Sequence, residues 1–216
     1  GLHFTESLLN RLDNRGIETD KVTLHVGVGT FRPISVANIT DHVMHHEKIV
    51  VSRKTIERLL NNLHRPALAV GTTSARTLES LYWLGVRLVR DGNGLMPMVT
   101  QWEPYQGNPS EMITAYQSLE ALLQFLDSRG LEEYSGQTEL LIVPGYRFRL
   151  ISGLITNFHM PQSTLLLLVA AMAGEDWKRA YDFALLNGFR FLSYGDSCLF
   201  LNQVIIEPAN NLHRKR

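Results

Sequence analysis

The chain has 216 residues, 21 basic against 21 acidic side chains and 44% hydrophobic residues. That length allows one large domain or two small ones and should bury roughly 70% of the unfolded surface. Zero net charge excludes a strongly basic nucleic-acid binder, though not a local basic patch. A single cysteine, Cys198, excludes an internal disulfide and fits a reducing, cytoplasmic compartment. The sequence shows no signal peptide and no apolar run long enough to span a bilayer. It starts at Gly1 and reads at once like the inside of a domain, as a fragment of a longer protein does.

Thr5 predicts the N-cap of a helix with Leu8, Leu9 and Leu12 on one face, ended by Gly16. Lys21–Val28 alternates, which predicts a strand with one packed face. Gly27 and Gly29 leave room there for close approach by a ligand. Ile49–Val51 predicts a short strand, and Ser52 caps a helix running to His64. Ala67–Val70 predicts a buried strand and Ala75–Leu84 a helix closed by Gly85, with a further strand at Val86–Val89. Asp91–Ser110 reads as a loop and Glu111–Arg129 as an amphipathic helix. Strands are expected at Leu140–Val143 and Phe148–Leu154. Ile155–Gly174 follows, with a polar head (Thr156-Asn157-Phe158-His159) and an apolar body. Pro161 keeps the head out of helix, Ser163 stands at the N-cap, and Thr164–Ala173 predicts a buried helix ending at Gly174. A helix over Trp177–Leu186 and strands at Ser197–Asn202 and Val204–Ile206 complete the chain. The alternation predicts an α/β fold with a mixed, largely parallel sheet flanked by helices, in a single domain over 1–216.

Four places can carry chemistry. VGTTSARTLES (70–80) runs from a strand through small hydroxyl residues into a helix start. Its N–H groups with Thr72, Thr73 and Arg76 suit a carboxylate or phosphate; the plainer alternative is ordinary capping with a surface ion pair. DHVMHHE (41–47) offers His42, His45 and Glu47. Acid–base use fits a side chain titrating near neutrality, a metal lacks a supporting ligand pattern, and a solvated polar loop is the plain alternative. Asn157–His159 sits at a helix start, where a histidine serves either as base or as a satisfied hydrogen-bonder. Tyr194-Gly195-Asp196 lies beside Phe189-Arg190-Phe191, which suits stacking on a base or simply packing.

GLHFT (1–5), VTLHVGVGTFRP (22–33), DHVMHHE (41–47), VGTTSARTLES (70–80), PGYRF (144–148), LITNFHMPQSTLLLLVAAMAG (154–174) and FRFLSYGDSCLFL (189–201) together resemble one family. It is the S-adenosylmethionine:tRNA ribosyltransferase-isomerases of the queuosine pathway. The resemblance implies that this is the carboxyl-side α/β portion, without the family's N-terminal β-rich, barrel-like part. His46 stands where the family has serine, and 91–136 looks like an insertion.

The implied reaction moves the ribosyl part of S-adenosylmethionine onto 7-aminomethyl-7-deazaguanine at the tRNA wobble position. It gives epoxyqueuosine and releases adenine and methionine. No metal or other cofactor is implied beyond S-adenosylmethionine as substrate; the partner is tRNA, there is no membrane, and a monomer is expected. The residues implied for catalysis are His159 or His45 as base, Glu47 as orienter, and Asp196. Those implied for substrate binding are His3, His25, Gly27, Gly29, Thr30, Arg32, Gly71, Thr72, Thr73, Arg76, Glu79, Tyr146, Asn157, Ser163 and Tyr194. Phe31 or Tyr194 faces the sulfonium, and the methionine carboxylate sits on Thr72, Thr73 and Arg76. Two rival readings are another S-adenosylmethionine enzyme such as a methyltransferase, and a non-catalytic tRNA-binding paralogue.

Overall fold

The computed structural model describes residues 3–27, 33–92, 98–106 and 113–202. Among these, six helices pack around two small sheets. The first sheet has the order β1 (Thr23–His25), β2 (Glu47–Ser52), β5 (Glu133–Thr138), β4 (Met98–Val99); the second has the order β3 (Leu68–Val70), β6 (Gly153–Asn157), β7 (Ser197–Leu201). The α/β class and the mixed pairing hold. A largely parallel sheet does not: β3–β6 and β4–β5 are parallel, whereas β1–β2, β2–β5 and β6–β7 are antiparallel.

The caps form where the sequence sets them. Thr5, Ser52 and Ser163 accept from Leu8, Thr55 and Leu166 N–H groups at the starts of α1 (Glu6–Asp13), α2 (Arg53–Asn61) and α5 (Thr164–Ala173). Thr114 and Gln117 form a reciprocal capping box at α4 (Ala115–Ser128). Gly174 closes α5 in the left-handed region, and α6 (Asp176–Leu186) follows.

The main departure is α3, which runs unbroken over Thr72–Asp91. Gly85 does not end it, and no strand forms at Val86–Val89. A Cβ at Gly85 would lie 2.1 Å from the Ser118 carbonyl oxygen, and Ser118 Oγ donates to the Tyr82 carbonyl at 2.6 Å. The glycine is therefore the contact point of α3 with α4, and burial there outweighs its low helix propensity. Two expected strands also fail. At 140–143 the Tyr105 hydroxyl donates to the Leu141 carbonyl and accepts from Val143 N–H, substituting for a strand partner. At 149–151 the main-chain N–H groups are taken by the Glu79 carboxylate. The strand expected at Val204–Ile206 lies outside the described residues.

The 91–136 span contributes β4, α4 and the start of β5, which lies between β2 and β4. Its Leu119, Leu122, Phe125, Leu126 and Tyr134 are fully buried and belong to the same apolar cluster as Ile49, Leu81, Leu154 and Val169.

Candidate functional site

Alternation along the second sheet divides its residues into two sets. Ala69, Leu154, Thr156 and Phe200 point inward and are buried, with Cys198 beside them. Leu68, Val70, Ile155, Asn157, Ser197, Leu199 and Leu201 share the outward face, as the pairings Val70↔Ile155, Ile155↔Leu199 and Asn157↔Ser197 require. At the carboxyl ends of the parallel pair β3–β6 this outward face forms a small recess. His3, Phe4, Gly71, Ile155, Asn157 and Ser197 line it. Ligands of open α/β sheets favour such carboxyl ends.

Gly71 makes the turn into α3 with φ +90, and its N–H donates to the Ile155 carbonyl at 2.7 Å. No side chain caps α3. Its first N–H groups, at Thr72 and Thr73, therefore begin beside the recess, with the partial positive charge of a helix start. Thr72 is buried and Thr73 exposed. Asn157 Nδ2 donates to the Gly195 and Asp196 carbonyls, which holds the 190–196 loop against the rim. The Arg190 main-chain N–H and guanidinium hold the Asp196 carboxyl below its usual range, and nearby His3 adds to the effect. Tyr194, in the same loop, is 86% exposed.

One turn into α3, Arg76 is buried and ion-paired with buried Glu47, the first residue of β2. Burial lowers the guanidinium to about 10. The pair lies at the end of β2 beyond the His25↔Lys48 pairing, so His25 and Gly27 reach the same end of the first sheet. His45 is exposed two residues before Glu47. Burial lowers His42, helped by the positive charge of His45. Gln101 clamps this loop by accepting from Met44 N–H and donating to the His42 carbonyl. His46 Nδ1 lies 3.1 Å from Glu139. Among the described residues, no three His, Cys, Asp or Glu side chains converge in a way that could hold a metal ion.

Other candidates stand apart from the recess. His159 lies on the inward side. Its Nε2 is 3.0 Å from Thr156 Oγ1, its main-chain N–H donates to the Tyr181 hydroxyl, and burial lowers the ring to about 4. The imidazole is therefore neutral at pH 7. Glu79 is fully buried and accepts from the Tyr146 hydroxyl and from Arg149, Leu150 and Ile151 N–H groups. Tyr146 also accepts from Trp83 Nε1. Glu79 and Tyr146 thus fix the entry to β6. The Ser163 hydroxyl is engaged in capping and donates to the Met160 carbonyl. Gly29, Thr30, Phe31 and Arg32 lie outside the described residues.

The family model described as queuosine biosynthesis protein matches residues 1–200.

The chain belongs to that family.

A Thermosipho melanesiensis S-adenosylmethionine:tRNA ribosyltransferase-isomerase is 38% identical over 201 residues, covering 92% of this chain and 47% of the relative. The Thiobacillus denitrificans enzyme of the same name is also 38% identical, over 97% of this chain and 49% of its own. The crystal structure of the S-adenosylmethionine tRNA ribosyltransferase from Thermotoga maritima superposes with a TM-score of 0.59 at 31% identity, over 93% of this chain and 51% of that one. The chain thus spans about half the length of the curated relatives it matches.

Sequence reasoning missed Gln101, Tyr105 and Tyr181, each of which orders a loop through a partner more than 20 residues away. Nothing local in the sequence marks such pairings. For Phe4, the GLHFT run was the available signal.

Proposed function

We propose that this chain carries the S-adenosylmethionine-handling part of a tRNA ribosyltransferase-isomerase. The observation that supports it best is the meeting of His3, Gly71 and Asn157 at the carboxyl ends of β3 and β6, beside the uncapped start of α3. The methionine carboxylate suits the Thr72 and Thr73 N–H groups, with Arg76 held by Glu47 as a fixed positive charge nearby. Gly71 and Gly27 leave open space where a side chain would otherwise stand, so a nucleoside can approach the backbone.

The sulfonium acidifies the ribose C5′ protons. Removing one leaves an electron pair stabilised by sulfur; the ribosyl carbon then bonds to the amine of 7-aminomethyl-7-deazaguanine in the tRNA. Rearrangement to the epoxy-cyclopentanediol releases adenine and methionine. The base is His45 or His159. Exposed His45 is the better placed to meet a ligand, whereas His159 lies buried on the inward side, neutral and held by Thr156. Asp196 fixes the rim loop through Arg190, and Tyr194 is free to lie against the bound nucleoside or the tRNA. The reading needs no cofactor, and takes the protein as monomeric and cytoplasmic. No described helix is long and apolar enough to cross a membrane.

The test gives the protein expressed from its native gene S-adenosylmethionine and precursor-bearing tRNA, then digests the tRNA and weighs the nucleosides. Epoxyqueuosine with equimolar adenine and methionine is expected. S-adenosylhomocysteine would make it a methyltransferase, and tRNA binding without turnover a non-catalytic paralogue. His45→Ala and His159→Ala assign the base: the essential one loses at least 100-fold in kcat.

A further inference from the structure

The outward face of the second sheet is apolar, yet no described helix covers it. Leu68, Leu199 and Leu201 are 46%, 53% and 45% exposed, in strands that bury their other face completely enough to leave Ala69 and Leu154 at 1% and 0%. Strands apolar on both faces, such as Ser197–Leu201, are the mark of a sheet covered on both sides. Gly153 leaves a flat centre between Leu68 and Leu201, which are the nearest atoms to a Cβ built there. Both β3 and β7 are edge strands of this sheet, and exposed apolar edges invite pairing.

Two observations bear on what covers this face. The relatives are about twice as long as this chain, so the shared portion operates beside a comparable mass of additional polypeptide. The amino-side segment already reaches the face, because His3 and Phe4 line the recess with Ile155 and Asn157. Chain on the amino side of His3 is therefore delivered to the patch, one end of which Phe4 occupies.

We infer that the outward face of β3–β6–β7 is the docking surface for polypeptide on the amino side of His3, which seats apolar side chains on Leu68, Leu199 and Leu201. The recess lies on the same face, so the docked polypeptide forms its outer wall. The inference concerns the surface and does not depend on the reaction proposed above.

Thiol accessibility in the protein expressed from its native gene tests it. Leu199→Cys is made in a Cys198→Ser background, with Val43→Cys, 74% exposed in the wild type, as the open reference. The inference expects iodoacetamide to label position 199 at least tenfold more slowly than position 43, in a protein that remains monomeric by size exclusion. Labelling within tenfold overturns it. Protection that disappears on dilution together with a dimer also overturns it, since a second copy then covers the face. If Leu199→Cys fails to fold, Leu201→Cys replaces it with the same readout. Absence of epoxyqueuosine in the separate turnover assay would leave this result standing.

Discussion

Two polar regions border α3, and they are built in opposite ways. On the inner side, charged and polar groups are buried and committed to the protein: Glu79 to the 149–151 backbone, Arg76 to Glu47, and His159 to Thr156 and Tyr181. On the outward face of the second sheet, His3, Asn157 and Ser197 edge a recess open to solvent. Both regions draw on the same short run, VGTTSARTLES, whose first residues serve the recess and whose later ones serve the core. Motif density alone therefore does not separate ligand binding from scaffolding; burial and partner count do.

The sharpest way to break the contrast is Glu79→Ala. It strands three main-chain N–H groups and a tyrosine hydroxyl, all without access to water. A stability loss on the order of 5 kcal/mol is expected in urea denaturation. A loss under about 1 kcal/mol would show that Glu79 is not the anchor of the β6 entry. The Arg76–Glu47 pair comes next. Arg76→Met alone takes the cation from a buried carboxylate and is expected to cost about 3–5 kcal/mol. Adding Glu47→Leu should recover most of that, because two apolar side chains replace two desolvated charges. Additive losses in the double variant would contradict the buried-pair account.

His159 gives a pH test of the inner region. Its folded value of about 4 lies below the ordinary 6.5. Above pH 6.5 the ring is neutral in both the folded and unfolded chain, so its contribution is fully present. As the pH falls from 6.5 towards 4, the unfolded chain takes up the proton first and stability drains away. The full effect is about 3 kcal/mol. Denaturation midpoints of wild type and His159→Gln compared at pH 7.5 and 4.5 should show this loss only in the wild type. The smallest effect belongs to the recess: Asn157→Ala gives up two hydrogen bonds to main-chain carbonyls and should cost about 1 kcal/mol. Its clearer signature is faster hydrogen exchange at 195–197 with the core unchanged.

Much of the fold was legible locally. Caps at Thr5, Ser52 and Ser163, the stop at Gly174 and the strand into Gly71 rest on interactions within a few residues, so the sequence displays them. The failures share a cause. Gly85 reads as a stop until Ser118 is brought against it, and 149–151 reads as strand until Glu79 takes its N–H groups. The polar strand Glu133–Thr138 carries little apolar signal, yet it pairs with β2 over six residues. In the candidate site, the GLHFT, VGTTS and NFH runs were visible as motifs. That His3, Gly71 and Asn157 share one rim while His159 faces the other way depends on the side-chain alternation of β6, which the expected loop at Thr156-Asn157 concealed.

By itself the sequence determined the family, the α/β class and the residue types available for chemistry, because these follow from motif order, periodicity and capping along the chain. Only the tertiary structure decided which of those residues are free to act. A carboxylate or imidazole is identical in sequence whether it faces water or three N–H donors, and its role is set by the partners and burial that packing brings from distant segments.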